Sequence, residues 1–397
     1  MDKINFKNYS PISKNEKPNS NYITSNHKKN NLKIFIINAF IFIIVIYFFF
    51  YFIIKSFSDL NIKINKNNLL LSRKSIKVNK INEEFIDNLK NIINDDEIIE
   101  NEMMNKHTTF KIGGPAKFFI KPKTINQIID IIKLCNKYKV NYFILGNGSN
   151  LLVSDNGYYG VILQIHEHNF SDLKVKKESE DYYVLTVGGG MLMKTLSIES
   201  CFLSLTGLED IIDIPGTIGG GIIMNASFKG TGLKDPLIKV KVITPEGKIL
   251  QLTKEECKLV RRGSMLKDKK YLVIEAIFKL KKGDQLEIQQ KMTNNTKMRY
   301  ENQPMYFGSA GCFFVWYHYK HGSLYKKYKK YNLVGYRVGN AMIYTYNISF
   351  IVNLGNATAS QVMEIVLLIE KIIKEKYNIK IRREVIIIGS FNDIEYY

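Results

Sequence analysis

Cysteine is scarce in this 397-residue chain, and the scarcity excludes two kinds of structure. The four cysteines are far apart and form no C-x-x-C pair: Cys135, Cys201, Cys257 and Cys312. A disulfide framework and a structural zinc site both depend on closely and regularly spaced cysteines. We therefore expect neither of them, and we expect no metal site.

The sequence also lacks two common nucleotide-binding fingerprints. It contains neither the P-loop pattern G-x-x-x-x-G-K-[S/T] nor a G-x-G-x-x-G that opens a helix and is followed by a distant acidic residue. Both patterns bring glycines and a helix N-terminus against phosphates. A P-loop kinase and a Rossmann dehydrogenase are therefore disfavoured.

Acidic residues are few relative to basic ones. The chain has 57 Lys and Arg against 37 Asp and Glu, a formal net charge of +20. Such a surface attracts polyanions, anionic lipids or phosphorylated metabolites. The excess is mostly lysine scattered among Asn, Ile and Tyr, a mixture that A+T-rich codon usage also produces, and no nucleic-acid reader motif accompanies it. We expect no nucleic-acid partner.

The N-terminal part divides into a polar and an apolar segment. Residues 1–33 are rich in Asn, Ser and Lys and are predicted to be disordered. Residues 34–54 read IFIINAFIFIIVIYFFFYFII, long enough to cross ~30 Å of hydrocarbon as a helix. This run exceeds the usual ~7–15-residue core of a signal peptide, and no cleavage site follows it. We predict a single-pass membrane anchor, and the flanking residues do not indicate which side of the membrane its N-terminus faces. An organelle leader, such as a plastid one, is the alternative.

The rest of the chain is predicted to be a linker followed by a globular region. Residues 55–104 show no clean periodicity beyond a short helix over 82–94, and the globular part is expected from residue 105. There, strand-like runs such as 142–145 and 382–388 alternate with helical stretches such as 359–377. This alternation predicts a mixed α+β fold with more than one lobe.

Glycine-rich loops are the most informative feature of the globular region. LGNGSNLLVSD (145–155) places two glycines directly after a predicted strand, so that backbone N–H groups can converge on a pyrophosphate. By itself this loop is equally compatible with an ordinary Asn/Gly turn. Three similar loops occur, KIGGPA (111–116), GGG (188–190) and PGTIGGG (215–221). Together they point to a long, phosphate-bearing cofactor held by backbone.

Five segments carry a resemblance to a known family. They are HTTFKIGGPAKFF (107–119), LGNGSNLLVSD (145–155), GLEDIIDIPGTIGGGIIMNA (207–226), SAGCFF (309–314) and REVIIIG (383–389). In order and spacing this set resembles the UDP-N-acetylenolpyruvoylglucosamine reductase (MurB) family over the whole globular region.

The resemblance implies an FAD-binding fold of the vanillyl-alcohol-oxidase type. It implies FAD-binding lobes over 105–284, a substrate-binding α+β lobe over 285–383, and a C-terminal segment, 384–397, that returns to the FAD lobes. It further implies that NADPH reduces the FAD, which then reduces a UDP-enolpyruvyl sugar to UDP-N-acetylmuramate, a peptidoglycan precursor.

The resemblance also implies roles for individual residues. It assigns these to FAD binding: Thr109, Lys111, Gly113, Gly146, Asn147, Gly148, Ser149, Asn150, Leu151, Pro215, Gly216, Thr217, Gly219, Gly220 and Asn225. Arg262 matches the arginine that grips the substrate carboxylate, and Glu384 matches a glutamate that assists protonation. Cys312 occupies the position of the family's proton-donating serine, and a thiol has a proton to give; a buried packing role is the alternative.

The departures from the family pattern fall mainly where substrate is held. Asn302 stands where a lysine meets the UDP phosphates, Asn347 replaces a histidine, and Arg261 stands where a tyrosine is usual. Two alternatives therefore stay open beside the reductase: a flavin oxidoreductase with another substrate, since fold does not fix substrate, and a relative without catalytic activity.

Overall fold

A computed structural model of the protein describes residues 81–316, 321–391 and 394–396. The predicted disordered segment (1–33) and the predicted anchor (34–54) lie outside the described residues, as does most of the predicted linker. Across the described part of the chain, no helix is both long and apolar enough to cross a membrane. Within it, three lobes each have their own hydrophobic core.

The first lobe is a four-stranded sheet covered on both faces. Its helices are α1 (Glu83–Ile92) and α2 (Ile125–Tyr138), and its strands are β1 (Ile98–Met103), β2 (Pro115–Ile120), β3 (Tyr142–Leu145), β4 (Leu151–Val153) and β5 (Tyr158–Gln164). The sheet order is β1-β2-β5-β3, with β2, β5 and β3 parallel and β1 antiparallel. Both helices bury apolar residues on one face, and β4 lies against the other.

The predicted linker ends earlier than residue 104, so the predicted start of the globular region was wrong. Asn82 caps α1, which buries Phe85 and Leu89 completely. β1 then pairs with β2 along five residue pairs. The short helix predicted over 82–94 is therefore present as α1, but as part of the first lobe rather than of a linker. β1 is a polar edge strand without the alternation that identifies a strand from sequence.

The second lobe is an antiparallel sheet with helices packed on it. Its strands are β6 (Leu173–Lys177), β7 (Tyr182–Gly188), β8 (Leu205–Thr206), β9 (Ser227–Phe228), β10 (Thr231–Gly232), β11 (Leu237–Ile243), β12 (Ile249–Thr253) and β13 (Leu272–Lys282). Its sheet order is β12-β11-β13-β7-β6, β8 also pairs with β13, and β9 and β10 form a separate hairpin. Its helices are α3 (Glu167–Phe170), α4 (Met193–Phe202), α5 (Ile218–Ile223), α6 (Met265–Asp268) and α7 (Gln285–Asn302).

Helix α7 was predicted to belong to the substrate-binding lobe, which was expected to begin at residue 285. The Asn295 side chain donates to the Glu209 backbone oxygen at 3.4 Å and to the Asp210 carboxylate at 2.8 Å, and Thr296 donates to Asp213 at 2.5 Å. The helix is therefore tied to the second lobe rather than to the substrate lobe. A helix at a boundary can pack on either neighbour, and α7 has no apolar stripe that would predict which one.

The third lobe pairs a small antiparallel sheet with one long helix. Its strands are β14 (Gly308–Cys312), β15 (Phe314–Val315), β16 (Arg337–Val338), β17 (Ala341–Ile343), β18 (Phe350–Asn353) and β19 (Arg382–Arg383), and its helices are α8 (Leu324–Lys330) and α9 (Ala359–Tyr377). The sheet order is β14-β18-β17-β16. A Thr358–Gln361 capping box starts α9, which has the predicted bounds and supplies seven buried residues.

The C-terminal segment returns to the first lobe as expected. The predicted strand 382–388 is instead two strands, β19 and β20 (Ile386–Phe391), with Glu384 and Val385 between them; β21 (Ile394–Tyr396) follows. β20 pairs in parallel with β4 and antiparallel with β21. The interruption turns the chain from the third lobe to the first, and it places Glu384 at the junction.

Candidate active site

A cavity of about 600 Å³ lies where the loops of the three lobes meet. Its size is within the usual range for small-molecule and cofactor sites. Loops after β3, before α5 and before β2 line one end, and residues of β14, α7 and the turn before β20 line the other. The two ends differ in chemistry.

The loop after β3 offers unpaired backbone donors. Gly146, Asn147, Gly148 and Ser149 line the cavity, and among the described residues their N–H groups meet no protein acceptor. Gly148 has φ +62°, and a Cβ there would lie 2.0 Å from the His107 carbonyl oxygen. Consecutive N–H groups of this kind form an anion-binding concavity. The loop therefore fits a pyrophosphate.

A second glycine loop packs directly against the first. The Ser149 hydroxyl donates to the Pro215 carbonyl at 2.8 Å, and a Cβ on Gly146 would lie 2.6 Å from the Thr217 hydroxyl oxygen. Thr217 caps α5 by accepting from the Gly220 N–H at 3.3 Å. Close contact between the loops is thus possible only without side chains at the glycines.

The third predicted loop joins the cavity to the third lobe. The Thr109 hydroxyl donates to the Ser309 carbonyl at 2.8 Å, and the Ser309 N–H donates back to the Thr109 carbonyl at 3.2 Å. Lys111 lines the cavity in a left-handed conformation, φ 56°. The cofactor loops are therefore anchored to the strand that carries Cys312.

Most of the predicted cofactor residues come together in this cavity. Its lining includes Thr109, Lys111, Gly146, Asn147, Gly148, Ser149, Asn150, Leu151, Pro215, Gly216, Thr217 and Gly220.

Three predicted cofactor residues do not line the cavity. A Cβ on Gly113 would meet Met104 and Val153 at 2.9 Å, and one on Gly219 would meet the Val273 carbonyl oxygen at 2.9 Å. These glycines, like the loop 188–190, allow close packing inside the lobes. Asn225 is buried and donates from its side chain to the Val260 carbonyl at 2.9 Å. It supports the turn that carries Arg262 rather than the cavity wall.

The three predicted catalytic residues meet at the other end of the cavity. Arg262, Cys312 and Glu384 all line it, and the Arg262 Nε lies 2.8 Å from the Glu384 carboxylate. The Glu384 N–H donates to the Phe313 carbonyl at 2.8 Å, which places Glu384 beside Cys312. The Asn150 side chain donates to the Glu384 carbonyl at 3.1 Å and so ties this end to the first glycine loop.

Arg262 is held at the tip of a tight turn. Val260 and Gly263 pair across the turn, and Arg262 has φ 55°. Its guanidinium also donates to the Ser227 hydroxyl at 3.2 Å and to the Ser227 carbonyl at 3.3 Å. A left-handed non-glycine residue at a cleft is strained backbone that its surroundings enforce. Its guanidinium is held by three hydrogen-bonding contacts.

The environment of Cys312 keeps its thiol protonated. Burial and the neighbouring Glu384 carboxylate raise the pKa of Cys312 to about 11, although Arg262, Ser349 and Arg299 oppose the shift. Burial likewise raises the pKa of Glu384, with Arg262 as the main opposing charge. A thiol with this pKa carries its proton at neutral pH.

Arg299 is the charged cavity residue of most interest among those that the sequence did not predict. Arg299, on α7, is 6% exposed and lines the cavity, and its guanidinium carbon lies 5.5 Å from the centre of the Phe228 ring. It is the first residue of the segment RYENQP (299–304), in which Asn302 stands where the family has a lysine. No sequence signal could have found it, because the buried residues of α7 are Ile288, Asn295 and Arg299, which form no apolar stripe.

Aromatic side chains line one rim of the cavity. Tyr306 is 88% exposed and Phe307 is 40% exposed, and both line the cavity. Tyr300 stacks edge-on against Tyr306, and Tyr344 packs against Phe307. Exposed rings beside a cavity favour a flat ligand group. No group of three or more His, Cys, Asp or Glu side chains in the described ranges could hold a metal ion.

Comparison with known families identifies two domains. Residues 116–253 match a family model described as FAD binding domain, and residues 303–388 match one described as UDP-N-acetylenolpyruvoylglucosamine reductase, C-terminal domain. The prediction of an α+β FAD-binding fold followed by a C-terminal lobe is confirmed, and the second match begins just after α7.

Individual relatives cover the same region. The UDP-N-acetylenolpyruvoylglucosamine reductase of Lachnoclostridium phytofermentans is 38% identical over 78% of this chain and 99% of its own length. That of Bacillus pumilus is 38% identical over 77% of this chain and 100% of its own length. The crystal structure of the Thermus caldophilus enzyme (MurB) has a TM-score of 0.61 and 30% identity, covering 73% of this chain and 99% of that one. By its sequence, its fold and the residues of its cavity, the chain belongs to the UDP-N-acetylenolpyruvoylglucosamine reductase family.

Proposed function

We propose that this protein is an FAD-dependent reductase that converts UDP-N-acetylenolpyruvoylglucosamine to UDP-N-acetylmuramate in peptidoglycan synthesis, with NADPH as the reductant. The observation that carries the proposal is the meeting of Arg262, Cys312 and Glu384 at one end of a cavity whose other end is lined by glycine loops. Family membership supports the substrate and the cofactor.

The glycine end of the cavity fits FAD. The free N–H groups of residues 146–149 would receive the pyrophosphate, and the loop at 215–217 would close against it. When bound, FAD supplies two-electron transfer between the nicotinamide and the enolpyruvyl group. The chain contributes backbone donors here, and the one acidic side chain described beside them, Asp213, is paired with Lys194 at 3.1 Å.

Cys312 is the proposed proton donor. Hydride addition at one enolpyruvyl carbon leaves charge on the carbon beside the carboxylate, and that carbon must receive a proton. The raised pKa of Cys312, about 11, means that the thiol holds its proton until the charge develops. A positioned acid of this kind contributes about 10²–10⁴-fold to the rate.

Arg262 and Glu384 are proposed to act as a pair beside that donor. The Arg262 guanidinium stabilises negative charge on the substrate, and the Glu384 carboxylate fixes the guanidinium through the 2.8 Å contact. The Ser227 hydroxyl accepts from the Arg262 guanidinium, and the Asn225 side chain donates to the Val260 carbonyl of the turn that carries Arg262. These two are positioning residues.

A different substrate is the second candidate, and one observation favours it. Asn302 donates from its side chain to the Met298 carbonyl at 2.8 Å, so it turns back onto its own helix. Asn347 donates to the Asn302 carbonyl at 2.9 Å. Asn302 and Asn347 are thus hydrogen-bonded to backbone carbonyls, and neither side chain supplies a cation at these two positions.

The decisive measurement uses full-length protein in mild detergent. We expect flavin absorbance in the purified protein, and NADPH oxidation that depends on the UDP-enolpyruvyl sugar and yields UDP-N-acetylmuramate. Bound flavin that NADPH reduces but the UDP-sugar does not reoxidise would favour the second candidate. Protein that takes up no FAD would contradict both and favour a relative without catalytic activity.

We also propose that residues 34–54 anchor the protein in a membrane. The support is the uninterrupted apolar run of the sequence. Full-length protein should stay with the membrane fraction after carbonate extraction, whereas a 56–397 fragment should be released. Release of the full-length protein would contradict the anchor, and a shortened mature N-terminus would favour a cleaved organelle leader.

A further inference from the structure

Arg299 is a buried cation that the described protein does not neutralise. Its side chain is 6% exposed, and its Nε is fully buried with no hydrogen-bond acceptor in the described part of the chain. No carboxylate of those residues lies within ion-pair distance of it. Burying a charge without a partner costs several kcal/mol in general. Such a group is rarely retained without a ligand to receive it.

Asp213, the acidic residue whose charge acts on Arg299, is already engaged. The Asp213 carboxylate contacts the Lys194 Nζ at 3.1 Å and accepts from the Thr296 hydroxyl at 2.5 Å. The Phe228 ring, 5.5 Å from the guanidinium carbon, offers only a cation–π contact, which is worth far less than an ion pair. Burial accordingly lowers the pKa of Arg299.

The other cationic side chains of the cavity differ from Arg299. Arg262 is paired with Glu384 at 2.8 Å and held by Ser227. Lys111 is exposed, so water solvates its charge. Arg299 alone, among the described residues that line the cavity, combines burial, a full charge and a free donor directed at no protein group.

We propose that Arg299 binds an oxyanion of the substrate, and that this anion supplies the counter-charge that the protein lacks. The inference rests on the proposed function, because it assumes a UDP-enolpyruvyl sugar in the cavity. That substrate carries two oxyanions, a carboxylate and a diphosphate, and a guanidinium fork binds either one bidentately. Arg299 lines the same cavity as Cys312, so an anion bound to it would lie in the cavity that holds the reacting residues.

The test measures equilibrium binding to the oxidised, FAD-loaded, full-length protein, so no turnover is needed. Two ligands are titrated: UDP-N-acetylglucosamine, which has the diphosphate but no carboxylate, and the UDP-enolpyruvyl sugar, which has both. We expect Arg299→Met to weaken the enolpyruvyl ligand about 10- to 100-fold, the loss expected of a charge-assisted hydrogen bond. Equal weakening of both ligands identifies the diphosphate as the partner; weakening of the enolpyruvyl ligand alone identifies the carboxylate.

Two variants separate a binding role from charge and structure. Lys297→Met removes an exposed cation from the same helix and should leave both affinities unchanged. Arg299→Lys keeps the charge but loses the fork, and should bind with intermediate affinity. Because an unpaired buried charge is removed, ligand-free Arg299→Met should melt no lower than wild type. A residue needed only for packing would instead lower the melting temperature.

The outcomes distinguish this inference from the proposed function. If the wild type binds neither UDP ligand, the proposed function is wrong and this inference falls with it. If the wild type binds and Arg299→Met binds both ligands equally well, only the inference is wrong. Loss of FAD from Arg299→Met with unchanged ligand affinity after reconstitution would reassign Arg299 to the cofactor.

Discussion

The two ends of the cavity are built from different parts of the chain. At the glycine end, backbone N–H groups of residues 146–149 and the loop at 215–217 supply the surface, with side chains largely absent. At the reacting end, the side chains of Arg262, Arg299, Cys312 and Glu384 supply it. The glycine end would recognise its ligand through backbone N–H groups and shape, and the reacting end through its polar and charged side chains.

This difference explains where the sequence departs from its family. A backbone surface requires glycine at positions such as Gly148, where a Cβ would lie 2.0 Å from a carbonyl oxygen. A side-chain surface tolerates exchange wherever another group can do the same work. Cys312 for serine is an exchange of that kind, because both side chains carry a proton to donate. Asn302 for lysine is not, because an amide carries no charge and this one donates to the Met298 carbonyl.

The strongest test of the reacting end is the removal of its acid. Cys312→Ala should slow product formation from the reduced enzyme by about 100-fold or more, because no positioned proton remains. Flavin content and flavin reduction by NADPH should stay near wild type. Stopped-flow measurement of each half-reaction checks this, and Cys312→Ser should retain substantial activity. Normal turnover by Cys312→Ala would make the cysteine a packing residue.

The glycine end is tested by adding one methyl group. Gly148→Ala should lower FAD occupancy about tenfold or more, because the Cβ meets the His107 carbonyl oxygen and the residue must keep φ +62°. The matched control is Gly322→Ala, at φ +66° with nothing within 4 Å of the added Cβ. The measurement is the flavin-to-protein absorbance ratio. Equal occupancy in the two variants would remove the loop from the cofactor site.

The two ends should differ in pH dependence: the rate of the second half-reaction should change with pH, whereas FAD occupancy should not follow the same titration. The thiol of Cys312 must be protonated to act, so the second half-reaction should stay constant from neutral pH and fall as the pH rises through about 11. With an ordinary thiol pKa of about 8.5 the fall would come more than two units earlier. FAD occupancy should not follow this titration. A fall centred near pH 8.5 would mean that the thiol is solvated rather than buried.

The smallest expected effect concerns the support of Arg262. Ser227→Ala removes the hydroxyl that accepts at 3.2 Å but leaves the backbone carbonyl at 3.3 Å. We expect about a two- to tenfold loss in kcat/KM, the range of one hydrogen bond, with FAD occupancy unchanged. Because Ser227 positions Arg262, the loss should be matched by Ser227→Val and reduced in Ser227→Thr. A loss of 100-fold would indicate direct contact with substrate.

The sequence was most informative where local rules suffice. Glycines after a strand predicted the loop at 146–151, and a Thr–Gln capping pattern with a 3.6-residue period fits the bounds of α9. Gly113, Gly219 and Asn225 carry the same motif signal but face the protein interior. Whether a glycine serves a ligand or a neighbouring strand depends on tertiary packing, which a loop sequence does not encode.

The burial of Arg299 and the packing of α1 on the first lobe were missed for a related reason. Arg299 is one polar residue on the buried face of a helix whose packing partner was not predicted, so its burial was not foreseeable from spacing. α1 is ten residues long and buries only Phe85 and Leu89. Short elements gain their stability from the surface they cover, and that surface lies elsewhere in the sequence.

The pairing of β4 with β20 has a consequence for how the protein is made. Residues 151–153 leave the ribosome early, yet their parallel partners are residues 386–388, near the C-terminal end of the sequence. The first lobe therefore cannot close around FAD until nearly all of the described chain has been synthesised. Until then the edge of β4 is unpaired, a state prone to aggregation during translation. Cofactor loading is thus a late event, and ribosome-bound chains lacking β20 should depend on chaperones.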